Sequence, residues 1–356
     1  GNWPLALAAA RTLERRSQLL PDARFLLVAD AFRRRDWRAA AVQIDAVERE
    51  RVFAIVVPVL RAWLAQGSRQ GDPLALLVPN AQGETSVYAV ELRPFLLAAA
   101  DRPEAAAELA RVAAAAGPRG ARLRIAGASV LARRDRAAAL TLLEGDSPPL
   151  AVARGLLEAN RPIPGPIATP DAAMAELLVR LSLDLHSQNL TPVAATFARL
   201  ATWLPDNSET WMVAAELLAQ QDRQALAVPL LANVPAGDPF ASAVRDQRIR
   251  LLSDSGDRET ALAEALAATR ATAADAADWV RLGEVYNAMN RHAEAAEAFG
   301  SALAARNTGQ AGQAEWVLWL MRGGALDEAG NWPEARAALQ QAYRLAPDQP
   351  FVLNYL

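Results

Sequence analysis

The sequence predicts an all-α chain in which helical hairpins stack side by side. Three observations carry that reading. Residues of the hydrophobic class make up 52% of the 356, and through most of the chain they recur at helical spacing within Ala-rich stretches. From Met174 onward a pattern of small and large apolar residues returns every 34 residues, and a fixed period of that length marks a repeat array. The chain also has no Cys and only two His, His186 and His292, so neither disulfides nor a multi-histidine metal centre organises it.

The elements follow in order. Trp37, Ala40, Ile44 and Val47 fall at positions 17, 20, 24 and 27 of a unit starting near Pro21. Gly1-Asn2-Trp3-Pro4 repeats Gly330-Asn331-Trp332-Pro333, which lies between the two helices of a later unit. The chain thus begins halfway through one repeat and ends inside another, as expected for a piece of a longer array. Helical apolar spacing predicts helices over 51–66, 86–100, 103–116, 119–132, 136–143 and 149–160. Turn residues around 67–79 leave room for one short helix. Residues 161–170 (RPIPGPIATP) hold four prolines, which exclude a continuous helix because proline lacks the amide donor and clashes with the preceding turn. The expected organisation is therefore irregular repeats over 1–160, a proline-rich connection over 161–173, either loop or hinge, and a regular array over 174–356.

In that array the unit from Ala276 is the clearest. Trp279, Leu282, Gly283 and Tyr286 occupy positions 4, 7, 8 and 11, and Ala295, Phe299 and Ala302 occupy 20, 24 and 27. Steps of 34 residues backward give starts at 242, 208 and 174. Leu252, Ala261 and Ala268 fit the first, Trp211, Leu218, Ala227 and Leu231 the second, and Phe197 and Pro205 the third. Forward, six extra residues after Asn307 shift the next start to Trp316, where Trp319, Gly323, Leu326, Ala335, Leu339, Ala342 and Pro347 fit. A last unit starts at Pro350 and stops at Leu356. Position 8 must be small because the two helices of a unit cross there. Positions 20 and 27 are small so that the second helix can approach its neighbours. Each unit leaves an apolar face uncovered, so units must stack.

These residues resemble the tetratricopeptide repeat, a pair of antiparallel helices. The resemblance implies a right-handed α-solenoid and a protein-binding scaffold without catalysis or cofactor. In that family the first helix of each unit lines a concave groove, chiefly through positions 2, 5, 9, 12 and 13. Carried onto this chain, these are Glu209, Met212, Glu216 and Gln220; Asp246, Arg250 and Asp254; Val280, Glu284 and Asn287; and Leu320, Asp327 and Glu328. Seven acids face one Arg, which does not match the family's Lys, Arg and Asn clamp for a peptide carboxylate. The expected ligand is a basic or neutral extended protein segment, with apolar patches at Met212, Val280 and Leu320. The alternative is a groove filled by the chain's own N-terminal helices or by a second copy. The ending Pro347-Asp348-Gln349-Pro350, with Val352-Leu353-Asn354-Tyr355-Leu356 and the Trp37 region, also resembles longer proteobacterial repeat proteins. That resemblance implies a role in cell-envelope assembly and favours the periplasm over the cytoplasm. The other function class is an accessory module of a larger enzyme or enzyme complex.

Other chemistry finds little footing. All 37 basic residues are Arg, so no phosphate-binding GxxxxGK[ST] loop exists, and there is no GxSxG elbow. Residues 1–150 carry 21 Arg against 16 acids, and 151–356 carry 16 against 24. Basic clusters such as Arg33-Arg34-Arg35 are short and flanked by Asp30 and Asp36, so they read as a helix end and nucleic acid is not an expected partner. His292 reads as a solvated turn residue and His186 as a helix-end residue, where a cationic imidazole suits the negative end. Glu294/Glu297 and Asp327-Glu328 read as solvated faces. Trp211, Trp279 and Trp319 share position 4 and read as core, while Trp203 and Trp316 are expected nearer the surface. No run of 18 apolar residues free of charge and proline supplies a membrane span, and no leader pattern opens the sequence.

Overall fold

A computed structural model describes residues 2–77, 86–205, 207–271, 274–305 and 315–353. The regular elements of the described residues are all α-helices or short 3-10 turns, and the described residues contain no strand. The chain divides into two compact units, Gly1–Arg223 with Ala232–Phe240, and Gln224–Leu231 with Ala241–Leu356.

Unit 1 holds twelve α-helices among its described residues: α1 (Trp3–Arg15), α2 (Pro21–Arg33), α3 (Trp37–Glu50), α4 (Val57–Ser68), α5 (Val87–Ala99), α6 (Ala105–Ala115), α7 (Gly120–Leu131), α8 (Arg136–Leu142), α9 (Pro148–Glu158), α10 (Pro170–Ser187), α11 (Thr191–Ala201) and α12 (Ser208–Ala219). The helices expected between 51 and 160 are all present with ends shifted by a few residues. The first turn of the 51–66 segment is instead an irregular turn and a 3-10 turn, Ala54–Val56, because Arg51 takes a left-handed conformation that stops α3. The short helix expected within 67–79 is a 3-10 turn, Leu74–Leu76, and Pro79 lies outside the described residues.

Residues 161–169 form no helix, as their prolines require. The helix begins at Pro170, with the Thr169 hydroxyl accepting from the Ala172 amide at 3.4 Å, so residues 170–173 are its first turn. The segment packs against unit 1 along its length. Ile163 and Ile167 are buried, Ser129 donates to the Ile163 carbonyl at 2.7 Å, and Arg122 donates to the Gly165 carbonyl at 2.8 Å.

The longest helix, α10, packs not only on α11 and α12 but also on α2, α4 and α5, far earlier in the chain. Phe25, Phe53 and Phe197 meet edge to face beside it, with ring centroids 5.1–5.5 Å apart. A charged cluster ties the same helices. Glu176 of α10 is fully buried and accepts from Arg119, from Arg122 at 3.0 Å and from Asn207 at 3.0 Å. Arg119 also donates to Glu91 of α5 and, at 3.0 and 3.1 Å, to Glu209 of α12. Burial pushes the Glu176 carboxyl up, but Arg122, Arg119 and the donated hydrogen bonds outweigh it and hold the group below the usual range. Burial wins at Glu91, whose carboxyl is pushed up despite Arg119.

Unit 2 runs as hairpins: α13 (Gln224–Leu231) packs on α14 (Ala241–Asp254), then follow α15 (Arg258–Thr269), α16 (Ala276–Ala288), α17 (His292–Ala305), α18 (Glu315–Glu328), α19 (Trp332–Leu345) and the short α20 (Pro350–Leu353). Each packs on the next. The expected connection after Asn307 and the ending Asn354-Tyr355-Leu356 lie outside the described residues. The expected 208 hairpin is divided, with α12 in unit 1 and α13 in unit 2. Pro229 lies inside α13, which spans 8 residues, so the second helix of that repeat is short.

The crossing rule is visible atom by atom. A Cβ on Gly283 would lie 2.5–2.8 Å from the Phe299 ring, and one on Gly323 would lie 2.7 Å from Leu339. These are positions 8 and 24 of two successive units. In the 242 unit the sizes are exchanged: Ile249 stands at position 8 and Ala265 at position 24, both fully buried in one cluster. What is kept is the summed volume at the crossing, not the glycine. Ala261, Ala268, Ala295, Ala302, Ala335 and Ala342, at positions 20 and 27, are all buried. Position 15 turns the chain between helices with positive φ in five units: Arg35 at 55°, Asp222 at 58°, Gly256 at 89°, Asn290 at 59° and Gly330 at 77°.

Two outcomes follow for urea unfolding monitored by circular dichroism. Gly283→Ala is expected to cost about 1–3 kcal/mol by overpacking against Phe299. Gly300→Ala, whose Cβ meets only the Arg322 side chain at 3.6 Å or beyond, is expected to gain about 0.5–1 kcal/mol of helix propensity. Glu176→Gln is expected to cost about 3–5 kcal/mol at pH 7, because Arg119 and Arg122 stay buried without their shared partner. The native pKa of Glu176 is depressed, so its contribution is complete above the ordinary value of 4.5 and is lost as pH falls through the native value. The gap between Glu176→Gln and the native chain is therefore expected to narrow on acidification below pH 4.5; a gap that widens there would contradict the assignment.

Candidate functional site

The groove-facing residues expected from the repeat register fall in both units, so each set is placed within its own. In unit 1, Glu209 is drawn into the charged cluster: its side chain is 15% exposed and accepts two hydrogen bonds from Arg119. It holds α12 in place and is not offered to a ligand. Met212 is half-buried, and Glu216, also half-buried, accepts from Gln220 at 3.2 Å. The equivalent positions of the preceding unit, on α10, are Ala175, Leu178, Ser182 and His186; the first three are buried and His186 is half-buried. The face that would line a groove there is covered by the chain's own earlier helices α2, α4 and α5.

In unit 2 the first helices α14 and α16 pack directly on each other. Two arginines that the register did not assign to the groove, Arg245 at position 4 and Arg281 at position 6, cross this contact. Arg245 pairs with Asp278 at 2.8 Å and Arg281 with Asp246 at 3.7 Å. Arg281 also pairs with Glu284 on its own helix. Asp278 is held by a capping box as well: Asp275 accepts from the Ala277 and Asp278 amides at 2.9 and 3.2 Å, and Asp278 accepts from the Asp275 amide at 3.1 Å. Burial pushes the Asp246 carboxyl up, with Arg281 opposing it. The surface is therefore a ladder of alternating charges at α14 and α16, less acidic than the seven expected carboxylates.

Further along, the acids stand more open. Asp254 and Glu328 are exposed, Asp327 and Leu320 are half-buried, and Arg250 is exposed. Val280, expected as an apolar groove patch, is buried in the core with Phe299 and Leu318. Its helix is gripped on that side by the following hairpin. Asn287 is also engaged, its Oδ1 lying 3.2 Å from His292 Nδ1. His292 opens α17 and is half-buried, not a solvated turn residue. His186 sits in the last turn of α10 as expected, with Nδ1 3.1 Å from the Thr191 hydroxyl.

The aromatic residues divide the same way. Trp279 and Trp319 pack partly buried against the unit 2 core. Trp203 is not loose at the surface: its ring stacks on Trp3 at 5.2 Å and lies 4.3 Å beneath the Arg33 guanidinium. Trp316 is half-buried. The Glu294 carboxyl is held below its usual range by the hydrogen bond from Arg291, the wrong direction for a general acid. Among the described residues no group of three His, Asp or Glu could hold a metal ion, and no helix is long and apolar enough to cross a membrane.

No family model matches the chain, and no curated protein matches it. Solved structures similar to it include a tetratricopeptide repeat protein from Parabacteroides merdae, 12% identical, with 76% of this chain and 97% of that one covered at a TM-score of 0.39. A chain of the APC/C hetero-tetramer Cut9-Hcn1 is 15% identical, with 93% and 68% covered at a TM-score of 0.41. Within unit 2 the paired helices, the crossings at positions 8 and 24 and the buried alanines at positions 20 and 27 are the features on which the sequence resemblance rests.

The ladder makes a measurable difference between neighbouring arginines. Arg281→Ala is expected to cost about 1 kcal/mol of unit 2 stability, because Arg281 is mostly buried and serves two carboxylates. Arg336→Ala, exposed on α19, is expected to change stability by less than about 0.5 kcal/mol in the same denaturation assay.

Proposed function

We propose that the chain is a non-catalytic scaffold that holds an extended segment of a partner protein along the first helices of unit 2. The observation that carries this reading is the succession α14, α16, α18: three like helices, one per hairpin, each with a polar residue at position 12, Ser253, Asn287 and Asp327. Such a surface repeats along its length as an extended chain does.

The segment is basic or neutral. The Arg245–Asp278 and Arg281–Asp246 pairs neutralise the centre; the exposed charges on these helices are Asp254 and Glu328 against Arg250, with Asp327 half-buried beside Glu328. These carboxylates stand in water, so their main effect is on the rate and selectivity of association. A role in a periplasmic cell-envelope assembly is part of the proposal and is supported by the resemblance of the chain's last residues to longer proteobacterial repeat proteins.

Fluorescence anisotropy with labelled twelve-residue peptides of opposite charge tests the surface. The basic peptide is expected to bind more tightly to the full chain and to weaken as salt rises. Asp327→Arg with Glu328→Arg is expected to weaken it by about five- to tenfold, of order 1 kcal/mol. Preference for the acidic peptide, or indifference to the charge reversal, would overturn the proposal.

A further inference from the structure

Unit 1 contains a second feature that the repeat register does not foresee. A cavity of about 800 Å³ opens where α4, α5, α7 and α9 all end, a size typical of small-molecule sites. Four arginines line it, Arg133, Arg134, Arg136 and Arg161, and among the described residues no Asp or Glu does. The proline-rich segment forms its apolar wall through Pro162, Ile163 and Pro166. That wall is fixed in place by the hydrogen bond from Ser129 to the Ile163 carbonyl.

Helix ends carry unpaired carbonyls and a negative partial charge, which explains some arginines there. Arg134 donates to the Ala98 carbonyl at the end of α5 at 3.1 Å and pairs with Asp101. Arg136 donates to the Leu157 carbonyl at the end of α9 at 2.7 Å. Those two satisfy the helix ends. Arg133 and Arg161 do not: both are exposed, and neither side chain meets a hydrogen-bond or ion-pair partner among the described residues. Guanidinium groups stay charged at all physiological pH values, and their planar fork matches the oxygens of a phosphate or carboxylate. Two such forks border one cavity with an apolar wall and no nearby acid in its lining.

We propose that this cavity binds a small organic dianion, a phosphate monoester or a dicarboxylate with an apolar body, held at its oxyanion by Arg133 and Arg161 and along its body by Ile163 and Pro166. Binding here is independent of the unit 2 surface, since every residue involved belongs to unit 1.

Isothermal titration of the full chain with phenyl phosphate, phthalate, benzoate and benzyl alcohol tests this. At least one of the two dianions is expected to bind at a single saturable site, and which is tighter identifies the head group. Benzoate is expected to bind more weakly and benzyl alcohol not at all. Arg133→Gln with Arg161→Gln is expected to weaken the dianion by about tenfold or more. Its helical circular dichroism and unfolding midpoint should match those of the native chain, because neither side chain has a partner to lose. Arg133→Lys with Arg161→Lys, which keeps the charge and loses the fork, is expected to fall between. Arg336→Gln with Arg344→Gln in unit 2 is expected to leave binding unchanged. Absence of saturable dianion binding, equal binding by benzyl alcohol, or equal losses from the unit 2 variant would overturn the proposal.

Discussion

One carboxylate, Glu176, governs the arrangement of unit 1. It has no solvent contact, so its charge exists there only because Arg119, Arg122 and Asn207 surround it. Those donors, and the further carboxylates Glu91 and Glu209 that Arg119 gathers, come from three other regions of the chain, around residues 91, 119–122 and 207–209. Apolar packing tolerates sliding of one helix on another. A buried ion cluster does not, because each misplaced member leaves a charge without its partner in a dry interior. The cluster thus fixes α5, α7, α10 and α12 relative to one another, and with them the covered face of α10.

Unit 2 is built on a different economy of contacts. Each hairpin meets its neighbours, and among the described residues no buried charge joins distant helices in the way Glu176 does. Its specificity lies in volume at the crossings, where Gly283 admits Phe299, Gly323 admits Leu339, and Ile249 is accommodated by Ala265. Its ion pairs are of another kind as well. Arg245 and Arg281 lie at the edge of the packing, mostly buried but still reached by water, and join first helices of adjacent hairpins. They contribute modestly to stability and decide how much negative charge the surface shows.

Charge read along the chain and charge read in space therefore differ. The basic first half places Arg119 and Arg122 in the interior, Arg134 and Arg136 on helix ends, and Arg133 and Arg161 around a cavity. The acidic second half keeps Asp278 inside a capping box and Asp246 against Arg281. In neither half does the sum of charges describe the surface that a partner meets.

The local rules were legible in the sequence. Helical spacing placed the helices to within a few residues, the prolines at 161–170 marked the break, and the small residues at positions 8, 20 and 27 identified the hairpins of unit 2. Each of these depends on neighbours within one hairpin or the next, which the order of residues encodes directly. Position 15 takes the left-handed conformation at Asp222, Gly256, Asn290 and Gly330, residue types that favour it, but also at Arg35, so the turn is set by the hairpin and not by residue type alone. The register also named Glu209, Val280 and Asn287 as groove residues, but tertiary structure gave them to Arg119, to the core and to His292. A lone Glu176 among Met174, Leu177 and Leu178 was the one hint of a buried cluster, and its partners lie 54 or more residues earlier and 31 or more later. Which charges meet depends on how α10 returns against helices laid down a hundred residues before it, and no local period carries that information.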